Sequence, residues 1–287
     1  MSASTQDLVD LLDIEELDTG LYRGRQPTTS RQRVFGGQVA AQALIAVTRS
    51  VDPAYVVHSL HSYFLLPGDV AVPIVYDVEP LRDGRSFATR RVAARQHGRP
   101  IFYLTANFQR AEPGLEHQDA MPTVPPPEEC PALPAVMASL GRDEAVREWD
   151  EEWGALEVHY VGNTRHGLEP DPDHPAQARL WCRVSPTLPD DPVQHAAAFT
   201  YASDFSLVSA ALVPHDLHVS SPGMQVASLD HTIWFHRPFR ADEWWLYDQV
   251  SPVATGGRGL ALARIFTPAG VLVATVAQEG LIRRRAA

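Results

Sequence analysis

Apolar and polar side chains alternate with a period of two along several stretches, and the pattern is clearest over residues 226–235, inside the segment 224–238. That period, with its aromatic and β-branched residues, predicts a half-buried strand, and Pro238 ends it. The same pattern predicts strands over 56–66, 74–81, 87–96, 101–109, 156–161, 176–184, 244–251, 259–266 and 271–283. Asp83-Gly84 and His97-Gly98 supply turn signals between neighbours. Two stretches break the alternation. Residues 36–47, opened by Gly36-Gly37, are alanine-rich and apolar on nearly every side, which predicts a helix enclosed by other structure, and residues 192–212 predict a second. A short amphipathic helix through Leu8, Val9, Leu11 and Leu12 can be capped by Ser4 or Thr5; an edge strand over 14–22 follows, and 142–153 is acidic and weakly helical.

The order of these elements repeats. His61 and His231 stand in matching His-hydroxyl-aromatic contexts, and 231 − 61 = 170. At that offset Phe35 falls on Phe205, Ala40-Ala41 on Ala210-Ala211, and Thr105 on Thr275. The chain reads as a duplicated unit whose two copies pack as a pseudo-dimer about an approximate two-fold axis. Each copy is a buried helix followed by long antiparallel strands, an α+β pattern. Seven of the 24 prolines lie in 112–134, which marks a linker. The expected division is a first copy over 1–111, the linker over 112–134 and a second copy over 135–287.

Composition narrows the function. The formal net charge of −11 argues against nucleic-acid binding, and every basic residue is an arginine, so a bound phosphate would need arginine forks or backbone amides. No uninterrupted apolar run reaches the ~18 residues of a membrane span. The first ten residues lack a basic patch before an apolar run, and 283–287 is not a peroxisomal address, so the cytoplasm is the expected location. Cys130 and Cys182 read as free thiols without a zinc spacing. No G-x-S-x-G or H-E-x-x-H occurs, and the histidine pairs His215/His218 and His231/His236 do not make a convincing metal site.

Comparison of the copies locates the candidate chemistry. At the 170 offset Asp204 replaces Val34, Ser228 replaces His58 and Gln278 replaces Phe108, so polar groups gather in the second copy. Taken singly they could be a helix N-cap, a surface strand residue and a solvated edge residue. The segments Val34-Phe35-Gly36-Gly37-Gln38, Ser203-Asp204-Phe205, Ala227-Ser228-Leu229-Asp230-His231-Thr232-Ile233-Trp234-Phe235-His236-Arg237-Pro238 and Val276-Ala277-Gln278-Glu279-Gly280 resemble those of the acyl-CoA thioesterase II family. The resemblance runs from about Leu21 to Arg283. It implies a double hotdog fold, with a catalytic aspartate, hydroxyl residue and glutamine at Asp204, Ser228 and Gln278; serine stands where some relatives have threonine.

The implied reaction is hydrolysis of fatty acyl-CoA to free fatty acid and CoA, with no cofactor. Water, with a pKa of ~15.7, is a poor nucleophile until a base accepts its proton. Asp204 suits that task, and Ser228 and Gln278 can orient the water. Amides at a buried helix's start could stabilise the oxyanion. The alternative is a non-catalytic acyl-CoA-binding module of the same fold. Homo-oligomers are also expected, on the view that Trp244, Trp245 and Tyr247 contribute to an outward apolar face.

Overall fold

A computed structural model describes residues 5–169, 171–185 and 187–284. Ser4, one of the two expected caps, lies outside the described residues, as do 285–287. The first copy contains α1 (Thr5–Leu12), β1 (Glu15–Asp18), β2 (Leu21–Gly24), α2 (Gly36–Arg49), β3 (Tyr55–Phe64), β4 (Ile74–Asp83), β5 (Phe87–Gln96) and β6 (Arg99–Arg110). After a short 3-10 turn at Pro127–Glu129 come α3 (Leu133–Ser139), α4 (Asp143–Glu152), β7 (Leu156–Asn163), β8 (Gln177–Val184) and α5 (Pro192–Ser203). A 3-10 segment at Leu207–His215 precedes β9 (Met224–Ser228), β10 (Asp230–Phe235), β11 (Trp245–Thr255), β12 (Arg258–Phe266) and β13 (Leu272–Arg284).

One antiparallel sheet runs β1-β2-β4-β5-β6-β3-β10-β13-β12-β11-β8-β7, with β9 also paired to β13. Read outward from the β3–β10 junction, the two sides mirror each other. The junction is antiparallel, with His231 opposite Ser62 and Ile233 opposite Leu60. This is the double hotdog architecture: each half-sheet curls over a helical segment, and α2 and α5 pack together between the halves. Every residue of α2 from Gly37 to Val47 is buried. Its glutamines survive burial because they are paired: Gln42 Nε2 donates to Leu11 O and Arg25 O at 2.8 and 3.0 Å, and Gln42 Oε1 accepts from the Tyr76 hydroxyl at 2.7 Å.

The structure departs from the sequence reading in four places. The edge strand expected over 14–22 is a hairpin, turning at Gly20 with φ +74°. The helix expected over 192–212 breaks after Ser203, and the second half-sheet wraps the 3-10 segment instead. Pro192–His215 has the length and hydropathy of a membrane span, yet 67% of its most apolar window is buried in the core. The strand expected over 226–235 is split at Leu229: Ser228 faces Gly280 but Thr232 faces Ala277, a bulge of one extra residue.

The fourth departure concerns the outward face. Trp245 and Tyr247 are not on it; both are fully buried against the core. The start of β11, Trp245 to Tyr247, is apolar on both faces because the linker covers its outer side. Met121, Val124 and Cys130 pack there with Trp181, Leu246, Phe266 and Trp244, and Trp181 Nε1 donates to Pro125 O at 2.8 Å. Beside this strap Asp248, also buried, takes guanidinium contacts from Arg179 and Arg264 at 2.8 and 2.6 Å.

Candidate active site

The break after α5 places Asp204 at the helix's C-cap, not at an N-cap, with φ −84° and ψ −5°. Its side chain turns back toward the start of α2. That start is a glycine pair because nothing larger fits: a Cβ on Gly36 would lie 2.6 Å from Asp204 Oδ2, and one on Gly37 would lie 2.3 Å from Tyr201 O. The Gly37 N–H donates to the Asp204 carboxylate. An acid of the second copy therefore sits at the N-terminus of the first copy's helix, where unpaired amides and the helix dipole favour negative charge.

The other two residues arrive on β9 and β13. Ser228 Oγ donates to Asp204 Oδ1 at 3.2 Å, while Gln278 Nε2 donates to the same Oδ1 at 2.5 Å and to Ser228 Oγ at 3.1 Å. The bulge at Leu229 aligns Ser228 with this triangle. All three residues singled out from the sequence therefore meet, with hydrogen bonds joining each pair. Asp204 and Ser228 line the cleft described below, whereas Gln278 is 1% exposed and reaches them from beneath. Its Oε1 is buried with no hydrogen-bond partner among the described residues.

Desolvation raises the Asp204 pKa to about 6, against the opposing pull of hydrogen bonds from Gln278, Ser228 and Gly37 and the charge of Arg31. The carboxyl group is thus ionised at neutral pH but basic enough to take a proton. No histidine hydrogen-bonds Asp204 or Ser228 among the described residues. His231 is directed instead at Ser203, and His236 at Thr275 on the other face of the sheet.

A cleft of about 860 Å³ opens over Gly36, Asp204 and Ser228. Phe64, Phe102, Val208 and Leu229 give it an apolar wall, enough for a hydrocarbon chain. Arg31 stands at its border, an arginine that sequence patterning did not single out. Its guanidinium lies 4.2 Å from the Trp153 ring centre and 5.1 Å from that of Phe35, and Glu152 holds its Nε at 3.1 Å. The signal was dispersed: Glu152 and Trp153 come from α4 and its end, more than 110 positions along the chain.

The fold and its mirrored halves are those of a double hotdog thioesterase, and the chain belongs to the acyl-CoA thioesterase II family. Residues 25–109 match the family profile "Acyl-CoA thioesterase N-terminal domain", and 170–281 match "Acyl-CoA thioesterase". The chain is similar to acyl-CoA thioesterase 2 of Haemophilus influenzae, 40% identical over 287 residues and 99% of each chain. It is also similar to acyl-coenzyme A thioesterase 8 of Homo sapiens, 39% identical over 95% of this chain and 88% of the relative. Among solved structures, the acyl-CoA thioesterase II TesB2 from Mycobacterium marinum aligns with a TM-score of 0.83 at 46% identity, covering 96% of this chain and 98% of that one.

Proposed function

We propose that the protein hydrolyses fatty acyl-CoA to free acid and CoA by direct attack of a water held at Asp204, Ser228 and Gln278. The observation that carries this reading is the convergence of a carboxylate, a hydroxyl and an amide at one point on the floor of an apolar cleft. Asp204, poised near pH 6, accepts the water's proton. Ser228 and Gln278 fix the geometry, and Gln278 Oε1 retains an acceptor site. The first-turn amides of α2, beside Asp204, are the natural donors to the oxyanion formed as the carbonyl is attacked.

Ser228 donates to Asp204, which also raises a covalent route with the carboxylate as base. Direct attack is preferred because water needs only to be positioned, whereas an acylated Ser228 would have to be cleared by a second water at the same base. Thiol released from a panel of acyl-CoAs tests the activity. Intact-mass spectrometry of quenched, turning-over enzyme separates the routes: no adduct is expected, and an acyl group on Ser228 that forms and decays at the catalytic rate excludes direct attack.

We also propose that chains associate. Tyr63 and Trp234 are 63% and 37% exposed on the outer face beside the β3–β10 junction, and among the described residues no strap covers them there. Light scattering across a concentration series should give more than one chain's mass; a constant monomer mass contradicts it.

A further inference from the structure

The run Ser228-Leu229-Asp230-His231 contributes one residue to the reaction, yet its other two polar members each hold a neighbour of a remaining site residue, Asp230 by a backbone N–H and His231 by a side-chain hydroxyl. Asp230 Oδ1 accepts the N–H of Glu279 at 2.7 Å, and Leu229 N–H donates to Glu279 O at 2.9 Å. Glu279 follows Gln278, and it sits where the bulge disturbs the ladder between β9, β10 and β13. The side chain of Asp230 thus secures the strand at the point from which Gln278 projects.

His231 does the corresponding work at Asp204. The ring is fully buried, and its Nε2 lies 2.8 Å from Ser203 Oγ. The Ser203 hydroxyl gives its own proton to Thr200 O at 3.0 Å, so its oxygen must accept from His231. That fixes the neutral ring with its proton on Nε2. Burial holds the ring's pKa down at about 3, so the donor persists throughout the working range. Tyr247 donates to Ser203 O at 2.6 Å. Ser203, the residue before Asp204, is therefore gripped at both its hydroxyl and its carbonyl, at the turn where α5 ends. The cost of this arrangement is visible: His231 Nδ1 is buried without a partner among the described residues. A phenylalanine would fill the same space without that penalty, so the Nε2 donor is what the position supplies.

We propose that Asp230 and His231 are positioning residues, Asp230 fixing Gln278 and His231, with Tyr247, fixing Asp204, so that one strand segment registers all three site groups. The proposal rests on the thioesterase reading. Its test is steady-state kinetics against pH for His231→Phe, His231→Gln, Asp230→Leu and Asp230→Asn, with melting temperatures measured alongside. His231→Phe should lower kcat ~10- to 100-fold with little change in KM, the effect of a misplaced reacting group. It should also move the acid limb of the kcat profile to higher pH, because Asp204 loses aligned donors. His231→Gln, whose amide can still donate to Ser203, should recover most of the loss. Asp230→Leu should lower kcat about 10-fold, and Asp230→Asn, which keeps the acceptor oxygen, should stay near wild type.

Wild-type kcat and an unmoved limb in His231→Phe and Asp230→Leu overturn the proposal. So does an equal loss in each pair that merely follows the melting temperature. If His231→Phe does not fold, the two Asp230 variants carry the decision. Wild-type enzyme that releases no thiol from any acyl-CoA defeats the thioesterase reading instead. The braces are then judged by the titration of the Asp204 carboxyl carbon in NMR: a midpoint shared by wild type and His231→Gln but shifted in His231→Phe supports them, and one common midpoint overturns them.

Discussion

The two halves of the molecule share a strand plan and differ in what they place on it. Both carry a bulge at the equivalent point. In the first half Val57 faces Phe108 and Ser59 faces Asn107, which leaves His58 as the extra residue; in the second the bulge follows Ser228, 170 positions on. A break in the ladder is thus built into both copies. What surrounds it differs. His58 meets the Phe87 ring edge-on, with centroids 5.9 Å apart, on the outer face of the sheet, and Phe108 is fully buried on the inner face, so the positions that carry Ser228 and Gln278 in the second half carry rings in the first. The first half still contributes, through the amides of α2. Acid and dipole come from opposite copies, and a lone half would hold only part of the site.

That division can be attacked at its strongest point first. Asp204→Asn keeps the shape and removes the proton acceptor, and should cost ~10²- to 10⁴-fold in kcat with acyl-CoA affinity retained. In the unmodified enzyme kcat/KM should fall as pH drops through about 6, where Asp204 becomes protonated; a flat profile between pH 5 and 8 would remove Asp204 from its role. Phe108→Gln imitates the second half within the first. It should lower stability by about 3–5 kcal/mol through a poorly filled, unpaired buried amide, with kcat per folded molecule unchanged. Denaturant unfolding beside an activity assay reads both; lost activity without lost stability would mean the first half has its own chemistry.

Smaller effects sharpen the comparison. Gln278→Ala and Ser228→Ala should each lower kcat ~10- to 100-fold, and the double variant should lose less than the product of the two, because both act at one point. Full multiplicativity would show independent roles. The smallest expected change is a gain. The fold raises the pKa of Asp204 and so disfavours its ionised form; this cost is present above pH 6 and disappears as pH falls toward the unfolded-state value near 4. Asp204→Asn should therefore be more stable than wild type at pH 8, on the order of 1–2 kcal/mol after allowing for the open cleft, and no more stable at pH 4.

Much of the strand order was legible because period-two alternation and a repeat at fixed offset are properties of long segments. Three features were hidden by being short. The break at Asp204 spans three residues between two apolar runs, too few to interrupt a periodic pattern. The one-residue bulge at Leu229 reverses which positions face inward, so Thr232 and Trp234 point out while His231 and Ile233 point in. Gly20 turns a strand into a hairpin in the space of two residues. Trp245 and Tyr247 misled for another reason. A strand covered on both sides reads as a continuous apolar run, and the cover for the start of β11 comes from Met121, Val124 and Cys130 of the linker, some 120 positions earlier. The three site residues stood out only because the second copy could be compared with the first; Arg31 had no such contrast, since its partners lie in α4.

The path of the chain between the copies has a reach that can be worked out. β6 lies seven strand spacings from β7 along the sheet, roughly 34 Å at ~4.8 Å each, a span that about ten extended residues can cover. The chain spends far more than that between Arg110 and Leu156. The surplus winds into α3 and α4, and α4 ends with Glu152 receiving Thr29, Ser30 and Arg31 of the first copy. A shortened tether could still join β6 to β7, but it would leave the border of the cleft without its clasp.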